Sequence, residues 1–96
     1  MYGTIARMRI QPGKESDLLA LSKQFEQLRI PGHRGTYIYR ADGDSNEYWL
    51  AVAFEDKAAY TANADSPEQN ARFQEMRALM AADPEWHDGE IIFAQG

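Results

Sequence analysis

The sequence predicts an α+β domain of ferredoxin-like order, βαββαβ, with a four-stranded antiparallel sheet that carries its helices on one face. Three observations predict it. An alternating run opens the chain, two extended runs flank a turn-rich spacer in its middle, and stretches with apolar residues three and four apart separate these strands.

The first strand is read from Tyr2 to Ile10, where Tyr2, Thr4, Ala6, Met8 and Ile10 fall on one side and Gly3, Ile5, Arg7 and Arg9 on the other. Pro12-Gly13 ends it. From Lys14 to Arg29 the apolar Leu18, Leu21, Phe25 and Leu28 step by three and four, and Glu15 and Asp17 sit near the start, where the helix dipole favours negative charge. Ile30-Pro31-Gly32 breaks this helix. The runs Gly35 to Ala41 and Glu47 to Phe54, joined by Asp42-Gly43-Asp44-Ser45-Asn46, read as a hairpin. Asp56 caps a short helix to about Asn63, and Ser66-Pro67-Glu68-Gln69 forms a capping box with proline at the first helical position. The second helical piece carries Phe73, Met76 and Met80 on one face. Asp83-Pro84 closes it, a turn holding His87 follows with Trp86 as apolar anchor, and Glu90 to Gln95 reads as the last strand. Residues 1–96 form a single domain with no repeat or linker.

The strand Tyr48-Trp49-Leu50-Ala51-Val52-Ala53-Phe54 is apolar on both sides, as expected of a strand buried on both faces, yet the helices cover only one. Ile5, Trp49, Ala51 and Ala53 then form an apolar patch of a kind monomers seldom expose, and a homodimer joined sheet to sheet is expected to cover it. Arg7 and Arg9 share that face. They are expected to pair with Glu47 or Glu55 across the interface, or to reach past its edge.

Ninety-six residues bury one core and hide only about two-thirds of the unfolded surface, so a sizeable pocket takes volume from that core. The net charge of −5 and the absence of a basic cluster argue against nucleic acid as a partner. An RNA-recognition module shares the element order, but its basic-Gly-aromatic strand signature does not occur. With no cysteine there are no disulfides and no thiolate sites. No apolar run approaches the length of a membrane span and the chain opens directly on a strand, so the expectation is a soluble cytoplasmic protein with no membrane partner. Phosphate-loop, dinucleotide and Gly-x-Ser-x-Gly patterns do not occur.

The strand-one ending Ile10-Gln11-Pro12-Gly13-Lys14-Glu15, and the strand-to-helix run through Phe54, Lys57, Ala59, Ser66 and Pro67, resemble the antibiotic biosynthesis monooxygenase family over almost the whole chain. The resemblance implies a dimeric α+β barrel with a pocket between sheet and helices in each protomer. For some members it implies cofactor-free oxygenation of electron-rich polycyclic aromatics, and for others haem binding and ring opening. Phe54 stands where relatives often have Trp, and Asn63 where many place His. For the haem-opening branch, the strand-one Asn falls at Ala6, the strand-three Trp at Phe54 and the axial His at about Phe73, so no haem determinant is present and no cofactor is expected.

Two catalytic candidates follow. Asn63 stands at the resemblance's His position, where its amide can donate to a substrate oxyanion; its other reading is a left-handed helix end. His33, between Gly32 and Arg34 before the second strand, is a side chain of the type that serves as a general base near neutral pH; its other reading is a solvated loop histidine. Tyr37, Tyr39, Tyr48 and Tyr60 offer phenols to bind or deprotonate an aromatic, or else area and a structural hydrogen bond. Tyr37, Phe54, Tyr60, Phe73 and Met76 are the substrate-binding candidates, and Phe54, Phe73, Met76 and Met80 are core or the walls of a cavity within it. No metal site is expected, since His33 and His87 lack convergent ligand spacing. The expected function is a cofactor-independent monooxygenase acting on a small anthrone- or quinol-like aromatic; the alternative is a non-catalytic dimeric barrel that binds a small ligand or serves a stress-related role.

Overall fold

The computed structural model describes residues 1–96 and contains β1 (Tyr2–Arg9), α1 (Glu15–Glu26), β2 (His33–Arg40), β3 (Glu47–Phe54), α2 (Lys57–Ala64), α3 (Pro67–Arg77) and β4 (Glu85–Glu90). The strands form one antiparallel sheet in the order β2-β3-β1-β4, the ferredoxin-like arrangement. Pairing of Ala6 with Leu50 and with Trp86 sets the parity of the sheet. Even-numbered residues of β1, β3 and β4 therefore face the helices, and odd-numbered ones face the other side.

Local chemistry accounts for the helices. Lys14 supplies no side-chain cap to α1, whose first turn instead carries Glu15 and Asp17. The residues after Glu26 tighten into three-residue bonds, Gln27 N–H to Gln24 O at 3.2 Å and Leu28 N–H to Phe25 O at 3.0 Å, so α1 stops short of the expected Arg29. The Asp56 carboxylate accepts from Ala59 N–H at 2.8 Å and starts α2. Ser66 Oγ accepts from Gln69 N–H at 3.1 Å and Pro67 opens α3. The reciprocal half of the capping box is missing, because the Gln69 side chain turns to Arg72.

The core is small and lies toward β1. Ala6, Met8 and Ile10 meet Leu18 of α1, Tyr48 and Leu50 of β3, and Met76 and Met80 at the end of α3. Ile10 leaves the strand and forms an isolated bridge with Met80. Gly3 is buried, and a Cβ there would strike the Val52 carbonyl, so the approach of β1 to β3 requires glycine. Tyr48 donates its hydroxyl to Glu15 Oε1 at 2.7 Å, and Arg40 donates to the same oxygen at 2.7 Å. The two donors, Tyr48 first, hold the Glu15 carboxyl below the ordinary carboxylate range. Burial and that hydrogen bond push the Tyr48 phenol up.

The expected last strand is displaced. β4 runs Glu85–Glu90 and pairs with β1, whereas Ile92 and Phe93 lie outside it, 93% and 76% exposed. The free edge of β1 selects its partner through backbone hydrogen bonds, so a polar segment serves where the apolar one was expected. His87 is consequently a strand residue opposite Ile5, not part of a turn.

One irregularity has chemical consequences. β2 pairs with β3 through His33 opposite Phe54 and Gly35 opposite Ala53, so Arg34 is an extra residue in a bulge. Without it His33 would share the outer face with Gly35 and Tyr37. With it, His33 joins Thr36 and Ile38 on the helix side. Gly32, at φ 79°, sets the turn into this bulge and accepts from Glu55 N–H at 2.8 Å.

The outer face carries Tyr37 and Tyr39 of β2, Trp49, Ala51 and Ala53 of β3, and Ile5, with no element of the chain above it. Tyr37 is 70% exposed and Ile5 52%. Arg7 bridges Glu47 of β3 at 2.7 Å and Glu85 of β4 at 3.0 Å, while Arg9 meets Asp44 at 2.6 Å. Their acidic partners thus lie within the same chain, and Glu55 instead meets Arg34 at 3.3 Å. No helix is long and apolar enough to cross a membrane.

Two outcomes are expected. Deleting Arg34 removes the bulge and turns the His33 ring outward, which NMR detects as loss of the contact between the His33 and Phe54 rings, now 5.6 Å apart. Because the Glu15 pKa is lowered in the fold, its stabilisation is complete above the ordinary glutamate value of about 4.3 and is lost as pH falls through the lowered value. Urea midpoints followed from about pH 6 to pH 2 should therefore fall less steeply in Glu15→Gln than in the parent chain.

Candidate functional site

The face that the helices cover is not filled evenly. Over β1 it is core, and over β2 and β3 it holds a cavity of about 630 Å³, within the range of small-molecule sites. Thr36, Ile38, Leu50, Val52 and Phe54 supply its sheet wall. Leu19, Ser22, Phe25 and Leu28 contribute from α1 and the residues after it, together with the exposed Lys23 and Glu26. Asn63 of α2 and Gln69, Arg72 and Met76 of α3 complete it. Apolar walls thus enclose polar groups from two places, the Asn63-Gln69-Arg72 cluster and the His33-Thr36 pair.

Asn63 lies inside α2, and no non-glycine residue has positive φ, so the left-handed helix end expected as its alternative role does not occur. Its carbonyl accepts from Ser66 N–H at 3.0 Å and from Ser66 Oγ at 2.8 Å, which ties the end of α2 to the cap of α3. The side chain is oriented by Arg72, whose Nη2 donates to Asn63 Oδ1 at 3.3 Å. A guanidinium only donates, so the amide oxygen must face it and the NH₂ group is left free to donate elsewhere. Gln69 Oε1 in turn accepts from Arg72 Nε at 3.1 Å and holds the guanidinium.

His33 lines the same cavity from the start of β2. Its Nε2 shares a 2.7 Å hydrogen bond with Thr36 Oγ1, and its ring meets Phe54 edge-on at 5.6 Å. The imidazole is exposed, so it can exchange a proton with solvent while touching the cavity.

Of the residues expected in the site, His33, Phe54, Asn63 and Met76 line the cavity, and three others do not. Tyr37 points from the outer face. Tyr60 sits over the far end of the sheet, 5.2 Å from the Tyr2 ring and 5.7 Å from Phe54, and donates to Asp88 Oδ1 at 2.9 Å. Burial, and then that hydrogen bond, push the Tyr60 phenol up to about 12, so it is a donor and not a base near neutral pH. Phe73 leans toward β4 and meets the Trp86 ring in a tilted contact, centroids 5.8 Å apart. Tyr39 is exposed on the outer face and Tyr48 is committed to Glu15, so neither supplies a cavity phenol.

Arg72 and Gln69 escaped the sequence reading. A signal existed, since Gln69, Arg72 and Met76 recur at three and four residues and so share one helix face, with polar side chains at two inward positions. No three His, Cys, Asp or Glu side chains converge in a group able to hold a metal ion.

The fold recurs in known structures. A candidate antibiotic biosynthesis monooxygenase from Chloroflexus aurantiacus superposes with TM-score 0.79 at 24% identity, covering 99% of this chain and 96% of that one. One from Bordetella bronchiseptica gives 0.81 at 23% identity, covering 96% and 97%. SnoaB, a cofactor-independent oxygenase from Streptomyces nogalater crystallised as a point mutant, gives 0.78 at 18% identity, covering 97% and 94%. At these identities the likeness establishes the fold. No curated protein sequence matches the chain. The sequence profile of one family, described as antibiotic biosynthesis monooxygenase, matches residues 1–78, from the start of β1 through the whole of α3, and the chain belongs to that family.

Proposed function

We propose that the chain is a cofactor-independent monooxygenase acting on a small electron-rich aromatic of the anthrone or quinol type. The observation that carries this reading is the Asn63 amide, whose oxygen is engaged by Arg72 while its NH₂ group has no partner within the chain, on the wall of a cavity that His33 also lines. His33 removes a proton from the substrate, and the Asn63 NH₂ donates to the oxyanion that forms. The anion passes one electron to O₂, and the resulting radical pair recombines with formation of a C–O bond. The proton held by His33 passes to the peroxide oxygen, and loss of water from the resulting hydroperoxide breaks the O–O bond and leaves one oxygen atom as a new carbonyl on the ring system. The other oxygen atom leaves with two hydrogens of the substrate. Apolar side chains beside the amide lower the local dielectric, which strengthens its contribution.

A second reading, a non-catalytic barrel that binds a small ligand, is favoured by one observation: His33 Nε2 is already engaged by Thr36. Under it the same cavity holds the aromatic without chemistry.

The proposal includes a homodimer in which the outer sheet faces meet through Ile5, Trp49, Ala51 and Ala53. Exposed Tyr37 and Tyr39 extend this surface, and aromatic residues of this kind are enriched at interfaces. Arg7, held between Glu47 and Glu85, brings its charge to the face already neutralised.

O₂ consumption by metal-stripped protein with anthrones, naphthols and hydroquinones tests the chemistry. Uptake above the spontaneous rate is expected, with Asn63→Ala slower by about 10²- to 10³-fold. No uptake across the panel would turn the reading to ligand binding. Light scattering should give twice the chain mass of 10.9 kDa, and Ala51→Arg, placed at the centre of the outer face, should give one chain mass. A monomeric parent chain at micromolar concentration would sink the dimer.

A further inference from the structure

A second cavity, of about 350 Å³, adjoins the first, and the two share Leu28, Ile30, Asn63 and Arg72 as walls. The Asn63–Arg72 pair therefore lies where the two cavities adjoin. The arginines around the smaller cavity differ from the chain's other arginines. Five of the chain's seven arginines, Arg7, Arg9, Arg34, Arg40 and Arg77, lie within 4.0 Å of a carboxylate. The two that do not are Arg29 and Arg72, and both line the smaller cavity. Its one acidic wall residue, Glu68, forms an ion pair with neither.

In a chain of net charge −5, the half-buried Arg72 and the exposed Arg29 border one cleft with no carboxylate paired to either. Arg72 is half-buried, and its two hydrogen bonds go to the neutral amide oxygens of Asn63 and Gln69, which orient the group without cancelling its charge. Those bonds use Nε and one Nη2 hydrogen, leaving Nη1 and the second Nη2 hydrogen free. Arg29 reaches the same cleft from the segment between α1 and β2, where Ile30 and Pro31 form the apolar wall.

We infer that the smaller cavity is an anion subsite, in which Arg29 and Arg72 take the carboxylate of an aromatic acid whose ring system occupies the larger cavity. This rests on the aromatic-binding reading of the larger cavity and narrows its substrate class to aromatics bearing an ionised acid group on a short arm. A guanidinium presents paired donors that match the geometry of a carboxylate. Binding the acid there also anchors the substrate beside the Asn63 amide, so Arg72 positions both the donor and the molecule it serves.

Fluorescence titration with 2-naphthylacetate and the neutral 2-naphthylacetamide at low salt separates this from shape recognition. The acid should bind at least about tenfold tighter than the amide, with a preference that shrinks as salt is added. Arg29→Gln and Arg72→Gln should each bring the ratio toward one, and Arg29→Lys should restore part of it. Equal affinities for the two probes in the parent chain, or a ratio unchanged in both Gln variants, would overturn the anion subsite while leaving the oxygenase reading intact. Failure of both probes to bind would overturn it together with the aromatic cavity. A clear acid preference in a protein that consumes no O₂ would uphold the subsite and remove the oxygenase.

Discussion

Pairing of β1 with β3 over eight residues is the constraint on which the rest of the molecule depends, because it decides which side of every central side chain meets the helices. With Ala6 opposite Leu50, the residues Thr4, Ala6 and Met8 point the same way as Tyr48, Leu50, Val52 and Phe54. A slip of β1 by one residue would send Thr4, Ala6 and Met8 outward and bring Arg7 and Arg9 toward the helices. Gly3 guards the register at one end, since only glycine tolerates the approach of the Val52 carbonyl. At the other, Arg7 is held by Glu47 and Glu85, a bridge across three strands that forms only in this alignment. Such exposed pairs add little stability individually, but they penalise the wrong register.

The same sheet must serve two purposes with limited material. The helices place Leu18, Met76 and Met80 over β1 and leave the β2–β3 half open as a cavity. Met76 belongs to both, buried in the core and lining the cavity wall. Apolar residues that would fill a core in a larger domain, such as Leu19 and Leu28, are left partly exposed along the cavity instead. The position of Asn63 follows from helix capping. Ser66 caps α3 and also ties it to the last turn of α2, so Asn63 and Arg72 meet although nine residues separate them.

Much of this was legible from residue order alone. The two-residue period of β1 and β3, the Asp56 cap and the Ser66-Pro67 start depend on neighbours within a few positions, and a local pattern reports them faithfully. β4 was not legible, because Glu85 to Glu90 is polar and owes its strand to the unpaired edge of β1. Tyr60 and Phe73 sit at helical positions that a periodic reading assigns to the interior. Each meets a partner distant in sequence, Asp88 and Trp86, which draws it away from the cavity.

By itself the sequence determined the order of elements through α3, the parity of the central strands, the Asp56 and Ser66 caps and the apolar outer face, since each arises from residues adjacent along the chain or along one element. Tertiary structure alone decided the chemistry available. The Arg34 bulge turned His33 from the outer face to the cavity, a change of one residue in strand pairing that no local periodicity encodes. The meeting of α2 with α3 gave Asn63 its orientation through Arg72, and the placement of α3 beside the segment after α1 put Arg29 and Arg72 on the wall of one cavity. These are contacts between segments distant in sequence, and their geometry exists only once the sheet and helices are assembled.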